Sequence, residues 1–119
     1  MKLELKHLTP YLPYKLNVKW GAHTFEVLGA SFLNRLSVKV KWYNQTANYA
    51  DVKPILNLPE DYLTNEIAHD LEWVSLDDLL RGIEMGHFNY KDYIFFCENH
   101  IDFNGLIEKG LAIDKNTLS

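Results

Sequence analysis

The residues best suited to do chemistry crowd into one short stretch, Cys97-Glu-Asn-His100-Ile-Asp102. Cys97 and His100, three apart, would share a helix face and supply two of the four ligands of a closed zinc centre. No second Cys-x-x-Cys, Cys-x-x-His or His-x-x-x-His pair completes the set. His100 and Asp102 have the order of a base and its orienting carboxylate. Yet no serine or threonine stands in a nucleophile elbow, and Cys97 on the same helix is badly placed as the nucleophile. The stronger reading is structural: Cys97 as a small core residue and His100 as a ring that caps the helix end.

The carboxylates Glu72, Asp77, Asp78 and Glu84 are the second candidate set, since a two-metal nuclease needs several acids. Such acids must converge from different elements. Asp77 and Asp78 instead follow Ser75, a good N-cap, and complement the positive end of a helix dipole. Phosphate-binding, dinucleotide-binding and zinc-protease motifs are absent from the sequence. No cofactor or metal is expected, and a non-enzymatic protein is.

The third set is basic. Lys15, Lys19, Arg35, Lys39 and Lys41 alternate with apolar residues, and Trp42, Tyr43 and Tyr49 stand near the end of the run. Lysines that track phosphates beside aromatics that stack on bases are the means of single-strand binding, and each neutralised phosphate adds salt sensitivity. An ordinary solvated sheet face would be equally lysine-rich, because lysines discourage edge pairing. The acidic residues Glu72, Asp77 and Asp78 also have two readings: a surface that offers carboxylates to a basic protein groove, as nucleic acid does, or plain solubility charge.

These sets divide along the chain. Residues 1–59 hold eight basic and three acidic side chains, residues 60–119 four basic and thirteen acidic, for a net charge of −4. Either the molecule has two electrostatic faces or the halves neutralise each other in the fold.

The elements that must position these residues follow from periodicity. Residues 14–20, 23–28 and 35–43 alternate apolar and polar, which predicts a hairpin and a third strand with Leu36, Val38, Val40 and Trp42 inward. Gly29 permits a bulge. Residues 44–51 read as a polar loop. Val52–Leu56 reads as a short strand that Pro54, lacking an N–H, sends to an edge. From Pro59 the period becomes helical, with Leu63 and Ile67 on one face. Glu72–Val74 reads as a short strand. A helix capped by Ser75 buries Leu76, Leu79, Leu80 and Ile83 and ends at Gly86. Another runs from about Lys91 to His100. A last one covers Phe103–Lys109 and ends at Gly110, with Leu111 packing back. The expectation is an α+β fold in a single domain, residues 1–119: an N-terminal antiparallel sheet of three to four strands packed against three or four C-terminal helices.

Composition agrees with a globular chain. Of 119 residues, 47% are hydrophobic and 13% aromatic, enough for one core. The lone cysteine fits a reducing compartment. No window is a membrane span, and the N-terminus lacks the apolar stretch of a signal peptide, so a soluble, cytoplasmic protein is expected.

Near the start, Pro10-Tyr11-Leu12-Pro13-Tyr14 is too short for a polyproline ligand. It reads as a one-turn helix, capped by Thr9, that delivers the chain into the first strand with Tyr11 or Leu12 buried. PYLPYKL, KPILNLPEDYLTNEI and FNGLIEKGLAIDKNTLS together resemble a family of small uncharacterised proteins encoded on prophages and mobile elements of bacteria. Two departures stand out: Lys15 replaces a usual glycine, and residues 21–51 match nothing fixed. The resemblance implies a phage-derived accessory protein that binds and inhibits a host defence complex. Its most specific form is an anti-CRISPR acting on an RNA-guided RNase or its guide RNA. The alternative is a single-stranded nucleic-acid-binding factor in phage replication or recombination. The expected partners are a host protein or ribonucleoprotein, with possible RNA or single-stranded DNA contact and no membrane.

Overall fold

The alternating N-terminal half folds into five antiparallel strands: β1 (Asn17–Trp20), β2 (His23–Ser31), β3 (Arg35–Val40), β4 (Tyr43–Asn48) and β5 (Val52–Leu56). A two-residue C-terminal strand, β6 (Ile113–Asp114), pairs parallel to β5 and completes a mixed sheet of order β4-β3-β2-β1-β5-β6. This computed structural model describes residues 3–31, 35–40 and 43–117. The fold is α+β, with six strands rather than three or four. Residues 44–48, expected as loop, extend the sheet instead: β3 supplies a free edge, and Leu36↔Ala47 and Val38↔Gln45 continue its ladder. The bulge at Gly29 is present as a register shift between Val27 and Gly29. Pro54 lies opposite Val18 in a strand that is flanked on both sides, not at an edge. The lost N–H is tolerated because β6 reaches only Ile55 and Leu56.

Five helices follow among the described residues: α1 (Leu5–Leu8) before the sheet, then α2 (Pro59–Tyr62), α3 (Asn65–Asp70), α4 (Leu76–Met85) and α5 (Tyr90–Glu98). The helix expected to run through Leu63 and Ile67 breaks, because Thr64 leaves helical geometry and its hydroxyl caps the Ile67 N–H. Thr9 is not the cap of a following helix but the end of α1, its hydroxyl bonded to the Leu5 carbonyl. The one-turn helix lies at Leu12–Tyr14 and is of 3-10 type.

Residues 103–110 form successive turns, not an α-helix. Asp102 organises them: its two carboxylate oxygens accept from the N–H groups of Leu106 at 2.7 Å and Ile107 at 2.8 Å.

Four segments end in one hydrogen-bond pattern, with a left-handed residue at the bend. After α4, His87 N–H bonds to Gly82 O and Gly86 N–H to Ile83 O; Gly86 has φ 73°. After residue 109, Leu111 bonds back to Leu106 and Gly110 to Ile107, with Gly110 at φ 78°. The same pattern after α3 and α5 uses Glu72 (φ 67°) and His100 (φ 52°), positions where sequence gives no glycine to announce the bend. Glu72–Val74 is accordingly a turn and not a strand.

Burial divides into two clusters. One joins the sheet residues Val18, Val27, Val38 and Val52 to Leu8, Tyr11 and Leu106. The other joins Leu63, Leu71, Leu79, Ile83, Phe96 and Ile101 within the helices. The sheet is thus covered mainly by the N-terminal turns and the 103–112 segment, and the helices pack chiefly on each other. Phe103 touches both clusters, with its ring 5.5–6.0 Å from those of Tyr11, Phe88, Tyr93 and Phe96.

Lys15 has φ 56° and ψ 53°, which a side chain with a Cβ adopts only at a cost. Lys15→Gly is expected to stabilise the protein by about 0.5–1 kcal/mol, the strain relieved less the extra unfolded-state freedom of glycine. Urea unfolding midpoints of the two proteins check it; an unchanged or lower midpoint refutes it.

Candidate interaction site

The surface around α4 is built by two sharp bends. At the first, left-handed Glu72 turns the chain so that Trp73 points inward and Val74 outward, leaving Val74 83% exposed. Trp73 is held by its indole N–H, which donates to Asp92 Oδ2 at 3.2 Å. Its ring edge also approaches α4 so closely that a Cβ on Gly82 would come 2.5 Å from it and 2.9 Å from the His87 carbonyl oxygen, which favours glycine there. Ser75 then starts α4, its hydroxyl accepting from the Asp78 N–H. At the second bend Gly86 ends α4 and leaves Met85 61% exposed.

Val74 and Met85 line a depression of about 410 Å³ that Glu72, Trp73, Asp78 and Arg81 complete. Met85 also borders a groove of about 800 Å³ between α2, α4 and the 103–109 turns. Leu80, Ile83, Phe103 and Ile107 contribute apolar wall to that groove, and Glu60, Glu84 and Glu108 contribute carboxylates. The depression and the groove share Met85 and so form one continuous surface. Residues 58–98 carry ten acidic and two basic side chains. The ion pair found among the described residues is local to the N-terminus, Lys6 with Glu4 at 3.2 Å. No ion pair joins the acidic helices to Lys19 or Lys53 of the sheet.

Glu72 and Asp78 are brought together here, while exposed Asp77 is not part of the depression. The basic set is less unified. Lys15 precedes β1 instead of lying in it. Lys19 sits directly across from Lys53 and beside Thr24. Lys39 stands in the neighbouring row with Asn17, Glu26 and Asn44, and Arg35 lies between Ser31 and Asn48. Tyr43 opens β4 opposite Val40. Lys41 and Trp42 lie outside the described residues. Tyr49 is displaced from the expected surface altogether: at 3% exposed it belongs to the sheet core, and burial raises the pKa of its hydroxyl.

The Cys97, His100 and Asp102 set is committed to structure. Cys97 is buried, and burial pushes its thiol pKa up. His100 does not cap α5 with its ring; its backbone makes the bend, and Nε2 donates to the Tyr14 carbonyl at 2.6 Å. Burial lowers its pKa, which the carbonyl bond opposes and Lys115 reinforces. Asp102 is raised by burial against the opposing pull of its backbone N–H donors. No group of three or more His, Cys, Asp or Glu placed to hold a metal occurs among the described residues, and no helix among them is long and apolar enough to cross a membrane.

Sequence reasoning missed Trp73, Val74, Met85 and Asp92. Asp92 had a signal: Asn89-Tyr-Lys-Asp92 has capping-box spacing, and both reciprocal bonds are present.

No family model matches the chain, and no curated protein or solved structure matches it.

Because the folded-state pKa of His100 is lowered from 6.5, the unfolded chain binds more protons in the window just below 6.5. Stability is therefore present above that window and lost as pH falls through it. His100→Asn, which tolerates the left-handed backbone, is expected to flatten the dependence of the urea midpoint on pH between about 5 and 7. His7, also lowered by burial, leaves a slope of the same sign. An unaltered slope in the variant refutes the assignment.

Proposed function

We propose that this chain is a non-catalytic binding protein that docks onto a larger partner through the acidic, apolar-centred surface around α4. The observation that carries this reading is the exposure of Val74 and Met85 amid carboxylates that form no ion pair among the described residues. Exposed apolar side chains that line one depression, with carboxylates outnumbering the cations Arg81 and Lys109 around it and the adjoining groove, suit a basic protein surface. The charge steers the encounter, and the apolar centre supplies the contact that survives desolvation. In its narrower form the protein is a phage-derived inhibitor of a host defence complex, an anti-CRISPR acting on an RNA-guided RNase or its guide RNA. The resemblance in the three sequence segments supports this form, and the channel of such an enzyme offers the required positive surface.

A second reading, single-strand nucleic-acid binding by the sheet, has one favouring observation. Lys19 and Lys53 stand directly opposite each other and line a common hollow of about 260 Å³. Like charges so placed repel unless an anion lies between them, although Asp51 borders the same hollow.

The readings separate in one set of assays. Under the docking reading, purified protein inhibits target cleavage by a purified RNA-guided RNase and protects phage in infection assays. Met85→Arg, at an exposed site, weakens that inhibition by about tenfold or more. Absence of both inhibition and protection removes the narrower form, and wild-type behaviour of Met85→Arg removes the surface. Under the second reading the protein shifts single-stranded RNA or DNA at low salt with a steep salt slope. Lys19→Glu with Lys53→Glu then abolishes the shift, and no shift at low salt rejects that reading.

A further inference from the structure

Beside Trp73 a further cavity of about 460 Å³ opens between the turn after α3 and the start of α5, and Asp92 forms part of its wall. Asp92 is 1% exposed, and its two oxygens are used unequally. Oδ2 accepts from Trp73 Nε1 at 3.2 Å and from the Asn89 N–H at 3.1 Å. Oδ1, equally buried, has no hydrogen-bond partner among the described residues. A buried carboxylate oxygen with no donor is among the more costly features a fold can keep. Helix capping does not require it, since one oxygen makes both bonds and an asparagine could do the same. The second oxygen is therefore open to a donor from outside the chain, which reaches it by displacing the atoms that cover it.

The rest of the wall narrows the choice of donor. Glu72 adds a second carboxylate, Trp73 and Phe88 add aromatic rings, and His87 stands beside them. Two carboxylates select a cation. Aromatic walls favour a flat, weakly hydrated cation with in-plane N–H donors over a compact, strongly hydrated ammonium. We infer that this cavity binds a guanidinium group, which donates to Asp92 and lies against Trp73 and Phe88. The cavity adjoins the proposed docking surface through Glu72, Trp73 and His87. It deepens that reading only in who carries the group, an arginine of the partner; the recognition chemistry stands without it.

The test is a ¹H–¹⁵N NMR titration of the full chain, followed at the Trp73 indole N–H. The probes are methylguanidinium, methylammonium and the peptide acetyl-Ala-Arg-Ala-amide. Methylguanidinium is expected to give a saturable shift, with methylammonium at least about threefold weaker. Tighter binding of the peptide identifies an arginine side chain as the ligand, whereas equal binding identifies a free guanidinium compound; both support the site. Asp92→Asn is expected to weaken binding by at least about tenfold. Glu72→Gln, which keeps a side chain of the same size at the left-handed bend, weakens it by about two- to threefold. Absence of a saturable shift, equal response to both cations, or wild-type affinity in Glu72→Gln overturns the inference. Guanidinium binding without any effect on a nuclease would instead reject the docking partner and leave the cavity in place.

Discussion

The Tyr11 hydroxyl donates to the Ile101 carbonyl at 2.6 Å across 90 residues of sequence, and the rest of the fold hangs on that seam. Around it, His100 Nε2 reaches the Tyr14 carbonyl, Asn57 N–H bonds to His100 O, and Asp102 N–H returns to Asn57 O. The end of β5, the N-terminal turns and the end of α5 are thereby tied at one place. Asp102 next fixes the 103–109 turns, and those turns carry Phe103 to the contact between the two buried clusters. Tyr11 is fully buried, and removal from water raises its hydroxyl pKa far above the usual tyrosine range. A neutral phenol is what a donor to a carbonyl must be, so burial and hydrogen bonding reinforce each other.

This seam explains why α4 remains available. A sheet face normally takes its cover from helices laid across it. Here the N-terminal turns and the 103–112 segment do most of that covering, and the helices assemble beside the sheet around Leu79, Ile83 and Phe96. A helix buried on one side by other helices, and not sandwiched against a sheet, keeps an outer face. On α4 that face holds Asp78, Arg81, Glu84 and Met85. The acidic character of the helical half then follows from local needs: Glu60 and Asp61 at α2, Asp77 and Asp78 at α4 and Asp92 at α5 each sit in a first turn. Dipole complementarity accounts for where these charges lie along the helices. It does not account for their concentration beside exposed Val74 and Met85, and that residue of unexplained surface is what the docking reading takes up.

Much of the fold was legible because the determining chemistry is local. Alternation set β1 to β3, Ser75 and Gly86 set both ends of α4, and Gly110 with Leu111 set the final bend. The misreadings are places where a long-range partner decides. Asn44-Gln-Thr-Ala47-Asn lacks strand propensity and is held by the β3 edge. Residues 103–109 have helical spacing but are bent into turns by a carboxylate that lies just before them. Pro54 suggests an edge because sequence cannot show that β6 is only two residues long. Among the candidate site residues, charge singled out Glu72 and Asp78, which line one depression, but not the exposed apolar Val74 and Met85 beside them. An exposed apolar side chain at the end of a helix looks the same in sequence as a buried one. Tyr49 fails in the opposite sense: an aromatic in a polar run suggested a surface, and the strand it follows folds it into the core.

The two non-glycine bends after α3 and α5 show how the site and the fold differ in what holds them. Each places a residue with a Cβ in the left-handed region, at a cost of order 1 kcal/mol. At His100 the cost is offset within the fold, because the conformation delivers the ring to the Tyr14 carbonyl and so forms part of the seam. At Glu72 the side chain is exposed and stands on the walls of two adjoining cavities. A glycine there would make the same backbone bend more cheaply and would still turn Trp73 inward. What glutamate adds is a carboxylate on a residue that lines both cavities, one shared with exposed Val74 and the other with buried Asp92. Strain held at a position whose side chain lies open to solvent is the arrangement expected where that side chain meets a ligand. Glu72 is therefore where the proposed docking surface and the proposed guanidinium cavity adjoin.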